Sequence, residues 1–383
     1  MVNIYFNRKT DKDIGLAHEI KVDLPQKGYS VFIQNKILKN CGPFIQKVTA
    51  SKKICVLTSS RIYKICGNDL LASLNKIKVK PRLILIPDGE KGKNEYTLFR
   101  VLRKMAFFGL QRDGCLIALG GGVAGDIGGL AASLYMRGID FIQCPTTLLA
   151  QVDASIGGKT AIDFSGIKNL IGSFYQPKSV LIDPEVLKNL DDRQFKTGLA
   201  EVIKYGVIKD ESMFKDFENR SKLILARNPA ILQRLISKSC AIKARIVSED
   251  EREGGKRAWL NYGHTLGHAL EAYFGFETLT HGEAISYGML FAALLSWKLG
   301  LSARSVLGRQ RDVLQKIGLL RKLPKFRPQA IYEKMLLDKK AREGQIQFIL
   351  TRKIGLVTIR KSVPRPIVFS ALTQLQAEVN QQK

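Results

Sequence analysis

The sequence predicts an α/β chain in two parts, a parallel α/β domain over residues 1–185 followed by a mainly α-helical domain over 186–383. Three observations carry that reading. Short β-branched runs alternate with helix-length stretches from about Ile20 to Ile182, the apolar period changes to 3.6 from about Pro184, and 383 residues exceed what one growing core accommodates. The strand runs are KICVLTS, PRLILIP, CLIALGGG, FIQCP and SVLIDP. The long helical stretches are FKTGLAEVIKYGVI, ILQRLISKSCAIKARIVSEDE and GEAISYGMLFAALLSWKLG. KLPKFRPQ, with Pro324 and Pro328, reads as a loop before a short α/β segment ending in QFILTRKIGLVTIR, and the tail after Val363 as a peripheral helix. Two domains also imply a cleft, the usual place for a ligand.

With 45% hydrophobic and 25% charged residues the composition is that of an ordinary globular protein. Lys+Arg 61 against Asp+Glu 34 leaves a net charge of +27, which raises the question of nucleic acid. The basic residues are scattered through every segment, with no RNP aromatics, zinc-finger spacing or basic region joined to heptads, so nucleic-acid binding is set aside as the primary role. The cysteines at 41, 55, 66, 115, 144 and 240 form no C-x-x-C pair and sit mostly in apolar segments, as reduced core residues do. MVNIYFNRKTDKD lacks the apolar stretch of a signal peptide, and no apolar run approaches the ~20 residues that span a bilayer, so a cytoplasmic protein without a membrane partner is expected.

CLIALGGGVAGDIGGLAA runs an apolar strand directly into Gly120, Gly121 and Gly122, then Gly125, Asp126, Gly128 and Gly129 before a small-residue helix. Such glycines let backbone N–H groups approach a pyrophosphate at a helix N-terminus, although the spacing is not G-x-G-x-x-G and a tight turn alone would look similar. Upstream, PDGEKGK ends a strand with a polar turn, where ligands of open α/β sheets gather. RGIDFIQCPTTLLAQVDASIGGKTAID then brings Arg137, Thr146, Thr147, Asp153 and Lys159 among small apolar residues, with Lys168-Asn169 following. Its Gly-Gly-Lys-Thr places an ammonium beside glycine backbone, suited to phosphate, without being a Walker A motif.

In the helical half, Glu201 and Lys204 lie three apart on one face of an apolar helix, where charges need a partner or a metal. Three of the four histidines, His264, His268 and His281, follow close together. If LNYGHTLGHALE is one helix reaching back to Arg257, then Arg257, Asn261, His264 and His268 form one stripe. A glutamate plus two histidines is a common catalytic zinc set, and spacing alone selects His264 and His268 as the pair. Arg257, Lys243 and Lys204, with Lys339 and Lys340 of LLDKKAREGQ as further candidates, make the surroundings cationic and the expected substrate anionic.

From Pro87 to Gly355 the ordered blocks GGGVAGDIGG, RGIDFIQCPTTLLAQVDASIGGKTAID, GLAEVIKYG, SEDEREGGKRAWLNYGHTLGHALE, HGEAISYGM and LLDKKAREGQ resemble the 3-dehydroquinate synthase family. The resemblance implies a homodimer with a Rossmann-like NAD-binding domain and a helical domain binding zinc or cobalt. It implies Glu201, His264 and His281 as the metal ligands, which displaces the spacing choice and makes His268 an acid/base or phosphate-contacting group. Matching NAD positions are Asp88, Gly89, Glu90, Lys91, Gly92 and Lys93, then Gly122, Val123, Ala124, Gly125 and Asp126. Thr146, Thr147, Lys159, Lys168, Val186, Leu187, Lys188 and Asn189 complete them. Matching substrate positions are Asp153, Lys159, Asn169, Lys204, Lys243, Arg257, Asn261, His268 and Lys339 or Lys340, and Arg137 resembles an arginine lent across the dimer interface.

The implied reaction converts 3-deoxy-D-arabino-heptulosonate 7-phosphate, a phosphorylated sugar acid of the shikimate pathway, to 3-dehydroquinate and phosphate. It runs through transient oxidation by NAD, β-elimination of phosphate, re-reduction, ring opening and aldol closure. By that resemblance Lys159, Asn169, Arg137 and His268 hold the phosphate, and Lys243 and Arg257 the carboxylate. Ile167 departs from the glycine common before Lys-Asn, and the +27 charge is unusual, but neither removes a catalytic side chain. Rival readings are a related cyclase acting on a sugar without the carboxylate, disfavoured by Lys243, Asn261 and Asp338-Lys339-Lys340, and a metal-dependent polyol dehydrogenase, which would accumulate NADH.

Overall fold

The structure is a computed structural model and describes residues 17–25, 28–251, 255–275, 278–337 and 346–380. The chain forms two compact units, the first of residues 1–190 and 229–251, the second of 191–228 and 252–383.

The first unit is built on a seven-stranded sheet in the order β1-β2-β9-β6-β5-β3-β4. Its strands are β1 (His18–Val22), β2 (Tyr29–Ile33), β3 (Ile54–Ser59), β4 (Arg82–Ile86), β5 (Cys115–Gly120), β6 (Asp140–Pro145) and β9 (Ser179–Ile182). β1 is antiparallel to β2 and every other pairing is parallel. The five apolar runs read from the sequence are β3, β4, β5, β6 and β9. Every residue of β3 and β5 is buried. Alternate residues feed the two faces, with Ile54 and Val56 in one core cluster and Cys55 and Leu57 in the other.

Helices α1 (Gly42–Val48), α2 (Ser60–Ile62), α3 (Asn68–Lys76), α4 (Glu95–Phe107) and α5 (Gly122–Leu134) connect these strands. β7 (Lys159–Phe164) and β8 (Ile167–Phe174) form a separate antiparallel hairpin packed on α5. All six cysteines are buried and free, and burial pushes the Cys41 thiol up to about 11, so these are core residues, not nucleophiles.

The second unit contains α6 (Asp192–Ile208), α7 (Glu211–Leu225), α9 (His264–Phe274), α10 (His281–Lys298), α11 (Arg304–Ile317), α12 (Pro328–Leu337), the hairpin β10 (Phe348–Lys353) and β11 (Leu356–Arg360), and α13 (Arg365–Asn380). α10 is buried along nearly its whole length and packs against α6, α9, α11 and α13. The tail helix α13 buries Val368, Ala371, Leu372 and Leu375, so it belongs to this core.

Two expectations change. The division at 185/186 gives way to a first unit that runs to 190 and reclaims α8 (Pro229–Glu249). The reason is packing: α8 lies against β1 and β2, and its Cys240 Sγ–H reaches the Gln151 carbonyl at 3.2 Å. Nor does one helix carry residues 257 to 268. Lys256–Asn261 is a 3-10 turn, and Gly263, at φ +82°, breaks the chain before α9 begins at His264. A Cβ on Gly263 would stand 2.7 Å from the Ile285 carbonyl, so the break is also a close approach to α10. Lys339 and Lys340 lie outside the described residues.

Candidate active site

In the first unit the chain steps from β3 outward to β4, then returns to place β5, β6 and β9 on the other side of β3. The point between β3 and β5 is therefore a topological switch point, where an open parallel sheet leaves a crevice at its carboxyl edge. The segments singled out from the sequence leave strands at that edge. Asp88, Gly89, Glu90, Lys91, Gly92 and Lys93 follow β4; Gly122 to Asp126 follow β5; Thr146 and Thr147 follow β6; Val186 to Asn189 follow β9.

No side chain caps the N-terminus of α5, so its first N–H groups are left to a ligand or solvent. Gly122 has room around it, an added Cβ meeting only the Ala154 Cβ at 3.8 Å, whereas a Cβ on Gly125 would press to 2.7 Å from Gln143 Oε1. The first glycine leaves space for a ligand and the second allows packing. Thr146 Oγ1 is buried with no hydrogen-bond partner among the described residues, while Thr147 Oγ1 accepts from Ala150 N. Val186 and Leu187 point into the core, leaving backbone and the exposed Lys188 and Asn189 to meet a ligand.

Lys93, in the turn after β4, ties the start of α5 to the β7–β8 hairpin. Its buried ammonium donates to Asp126 Oδ2 and Asn169 Oδ1, both at 2.5 Å, and Asn169, at φ +51°, donates its N–H to Asp163 Oδ1 at 2.9 Å. The turn after β4, the second turn of α5 and the β7–β8 hairpin thus share one charged network. Burial pushes Asp126 up to about 6 against the pull of Lys93. Burial would lower Lys93, but Asp126 beside it raises it. Lys168 stands 3.8 Å from Glu90, and Lys159 is exposed at the start of β7. α8 carries the buried Lys243 to Asp153, whose carbonyl and Oδ1 it meets at 2.6 and 2.8 Å. Arg137 is exposed, and Met136 and Arg137 both sit at positive φ, a strained backbone for residues other than glycine.

The second unit gathers a different constellation. Glu201 and Lys204 on α6 are each 1% exposed and paired, as the three-residue spacing requires. His264 and His281 are the first residues of α9 and α10. Their Nε2 atoms lie 3.5 and 3.2 Å from Glu201 Oε1. Glycines make that convergence possible. A Cβ on Gly282 would fall 2.4 Å from the Thr197 Cα of α6, and one on Gly288 would fall 1.7 Å from the Gly263 carbonyl. Thr280 caps α10 in a reciprocal box with Glu283, which also takes two bonds from Arg193, at 3.1 and 2.8 Å. That clamp joins the start of α10, and so His281, to the start of α6.

Glu201, His264 and His281 each offer a ligand atom within 4.8 Å of the others. Donors about 2.1 Å from one tetrahedral ion stand about 3.4 Å apart, so the observed Nε2–Oε1 separations suit zinc or cobalt. The set differs from the His264/His268 pair that spacing selects, because His281, at the start of α10, is the second histidine whose ring reaches Glu201. The His268 ring lies 5.2 Å from His264 and 6.4 Å from His281, centroid to centroid, beside the set and not in it. Burial would raise Glu201, but Lys204 and the two histidines hold it well below the usual range. Burial would lower His281, but Glu201 and Glu271 outweigh it and raise the imidazole to about 10. Arg257 is buried and Asn261 half-buried just before α9. Sequence reasoning missed Glu271 and the Arg193–Glu283 clamp. Glu271 had a signal, seven residues after His264 on the same helical face, whereas the clamp joins residues 90 apart and had none.

Residues 83–197 match the family model described as 3-dehydroquinate synthase N-terminal, and 198–341 the one described as 3-dehydroquinate synthase C-terminal. The chain is 45% identical over 343 residues to a 3-dehydroquinate synthase of Thermodesulfovibrio yellowstonii, covering 89% of this chain and 95% of that protein. It is 42% identical over 365 residues to one of Crocosphaera subtropica, covering 94% and 100%. Among solved structures, 2-epi-5-epi-valiolone synthase from Streptomyces hygroscopicus subsp. jinggangensis, with NAD+ and Zn2+ bound, aligns with a TM-score of 0.84 at 29% identity, over 93% of this chain and 99% of that one. A 2-deoxy-scyllo-inosose synthase complexed with carbaglucose-6-phosphate, NAD+ and Co2+ aligns with a TM-score of 0.81 at 25% identity, over the same shares.

Proposed function

Since the chain belongs to the 3-dehydroquinate synthase family, we propose that it converts 3-deoxy-D-arabino-heptulosonate 7-phosphate to 3-dehydroquinate and phosphate, as an NAD-dependent lyase using zinc or cobalt. The observation that carries this is the buried Glu201/His264/His281 set beside Lys204, in a chain 40–45% identical over most of its length to proteins of that name. Identity to the cyclases of other sugars is lower, at 25–29%.

When bound, NAD supplies an acceptor that takes up a hydride and gives it back, and the metal ion supplies Lewis acidity toward substrate hydroxyls. Glu201, His264 and His281 hold the ion, and Lys204 balances the buried carboxylate. The segments at the carboxyl edge of the sheet, from Asp88 to Asn189, hold NAD, with Lys93 keeping Asp126 and the β7–β8 hairpin in register. In the first unit Lys159 and Asn169 bind phosphate, and Lys243, oriented by Asp153, offers its ammonium to the substrate. In the second, Arg257 offers a permanent cation to a carboxylate, Asn261 donates and accepts hydrogen bonds, and the half-buried His268 holds or moves a proton.

The assembly proposed is a homodimer, with Arg137 serving the partner's site. The β7–β8 hairpin exposes Phe164, Ile167, Leu170, Ile171 and Phe174, and the end of α5 and the turn after it expose Leu134 and Met136, apolar surface of the kind that marks an interface. Sedimentation at several concentrations tests this. No helix among the described residues is long and apolar enough to cross a membrane, and the proposed location is the cytoplasm. The substrate is tested by comparing the sugar acid phosphate with an analogue lacking the carboxylate. Turnover of the acid alone supports the proposal, and preference for the analogue places the chain with the other cyclases.

A further inference from the structure

The two histidines of the metal set are oriented by unlike acceptors. His264 Nδ1 lies 3.1 Å from the backbone carbonyl of Tyr262, and His281 Nδ1 lies 3.3 Å from Glu271 Oε1. In both rings Nδ1 faces an acceptor and Nε2 faces Glu201, so the tautomer with its proton on Nδ1 leaves the Nε2 lone pair free for a ligand bond. A carbonyl fixes that tautomer by geometry. A carboxylate fixes it and also adds negative charge behind the ring, which strengthens the imidazole as a donor.

Glu271 is suited to this. It sits on α9, two turns beyond His264 on the same face, and is itself buried. The ring of His281 is therefore held between two carboxylates on two helices, Glu201 of α6 and Glu271 of α9, while its backbone begins a third, α10. We propose that Glu271 is a positioning residue of the metal centre, fixing the tautomer and plane of His281 and raising its donor strength, and so controlling how firmly the ion is retained. This rests on the reading of Glu201, His264 and His281 as a metal site.

The test is zinc affinity, measured by competition with a chromophoric chelator, for the wild type, Glu271→Ala and Glu271→Gln, with the melting temperature of each metal-free protein and the visible spectrum of each cobalt-loaded one. Loss of an outer-shell partner costs about 10–100-fold in metal affinity. Glu271→Ala is expected to lose that much and to shift the cobalt bands. Glu271→Gln keeps an acceptor oxygen without the charge, and is expected to recover most of the affinity while staying about threefold or more below wild type. A drop in metal-free melting temperature with zinc affinity and cobalt spectrum unchanged overturns the proposal and makes Glu271 a purely structural group. If Glu271→Ala does not fold, Glu271→Gln decides: weaker zinc at unchanged metal-free melting supports the role, and equal affinity overturns it. A wild type that holds no zinc instead overturns the metal reading beneath it.

Discussion

The sheet edge proposed to bind NAD in the first unit and the metal centre proposed in the second are built by opposite means. At the sheet edge, loops after four parallel strands deliver backbone, glycine space and one buried lysine, so position comes from the strand ladder and few side chains carry the chemistry. At the metal centre, side chains carry it all. Two ligands are the first residues of their helices and the third lies within α6, so position depends on caps, glycine contacts and the Arg193–Glu283 clamp. A site made of backbone tolerates side-chain change around it; a site made of three side chains does not.

The sharpest way to break that contrast is at a ligand. His281→Ala should lower zinc affinity by more than about a hundredfold, the upper range for mere outer-shell partners, and abolish turnover while NAD binding persists. Metal content by mass spectrometry with NAD titration checks both. Loss of both together would mean that the two sites are not separately built.

Next in size is the clamp. Burial would raise Glu283, but Arg193 and the Thr280 N–H hold it below 4.5. A carboxyl with a depressed folded value stabilises above its unfolded value, and that contribution disappears as pH falls through the folded one. Glu283→Gln should therefore cost about 1–2 kcal/mol near neutrality, allowing for the half-exposed Arg193, and the difference from wild type should shrink below about pH 4.5 in denaturant titrations. A difference that grows in acid would contradict the sign.

Gly122→Ala sharpens the comparison from the other side. Space for its Cβ exists, so melting should hold or rise by up to about 1 kcal/mol equivalent. NAD affinity should nonetheless fall about tenfold if the backbone must approach the cofactor there. Smallest is the cap itself, Thr280→Ala, expected to cost about 1 kcal/mol in thermal unfolding.

The same contrast governs what the sequence made legible. The strands β3, β4, β5, β6 and β9 are short apolar runs, and all but β3 end at a glycine or proline turn, so most of the sheet and the loops at its carboxyl edge can be read locally. Glu201 with Lys204 was legible too, since spacing within one helix decides it. His281 was legible through the family resemblance and not through spacing, which favours His268, four residues from His264; His281 reaches Glu201 from the start of a separate helix, α10, packed on α6 and α9. α8 shows the same limit: its periodicity gives a helix but not the sheet on which that helix packs.

The proposed reaction is decided by phosphate release from 3-deoxy-D-arabino-heptulosonate 7-phosphate by the purified protein with catalytic NAD and zinc, before and after chelation, with NADH absorbance followed throughout. A 3-dehydroquinate synthase releases phosphate in a chelator-sensitive way with no accumulation of NADH. No release, or NADH formed in proportion to substrate consumed, would contradict that reaction.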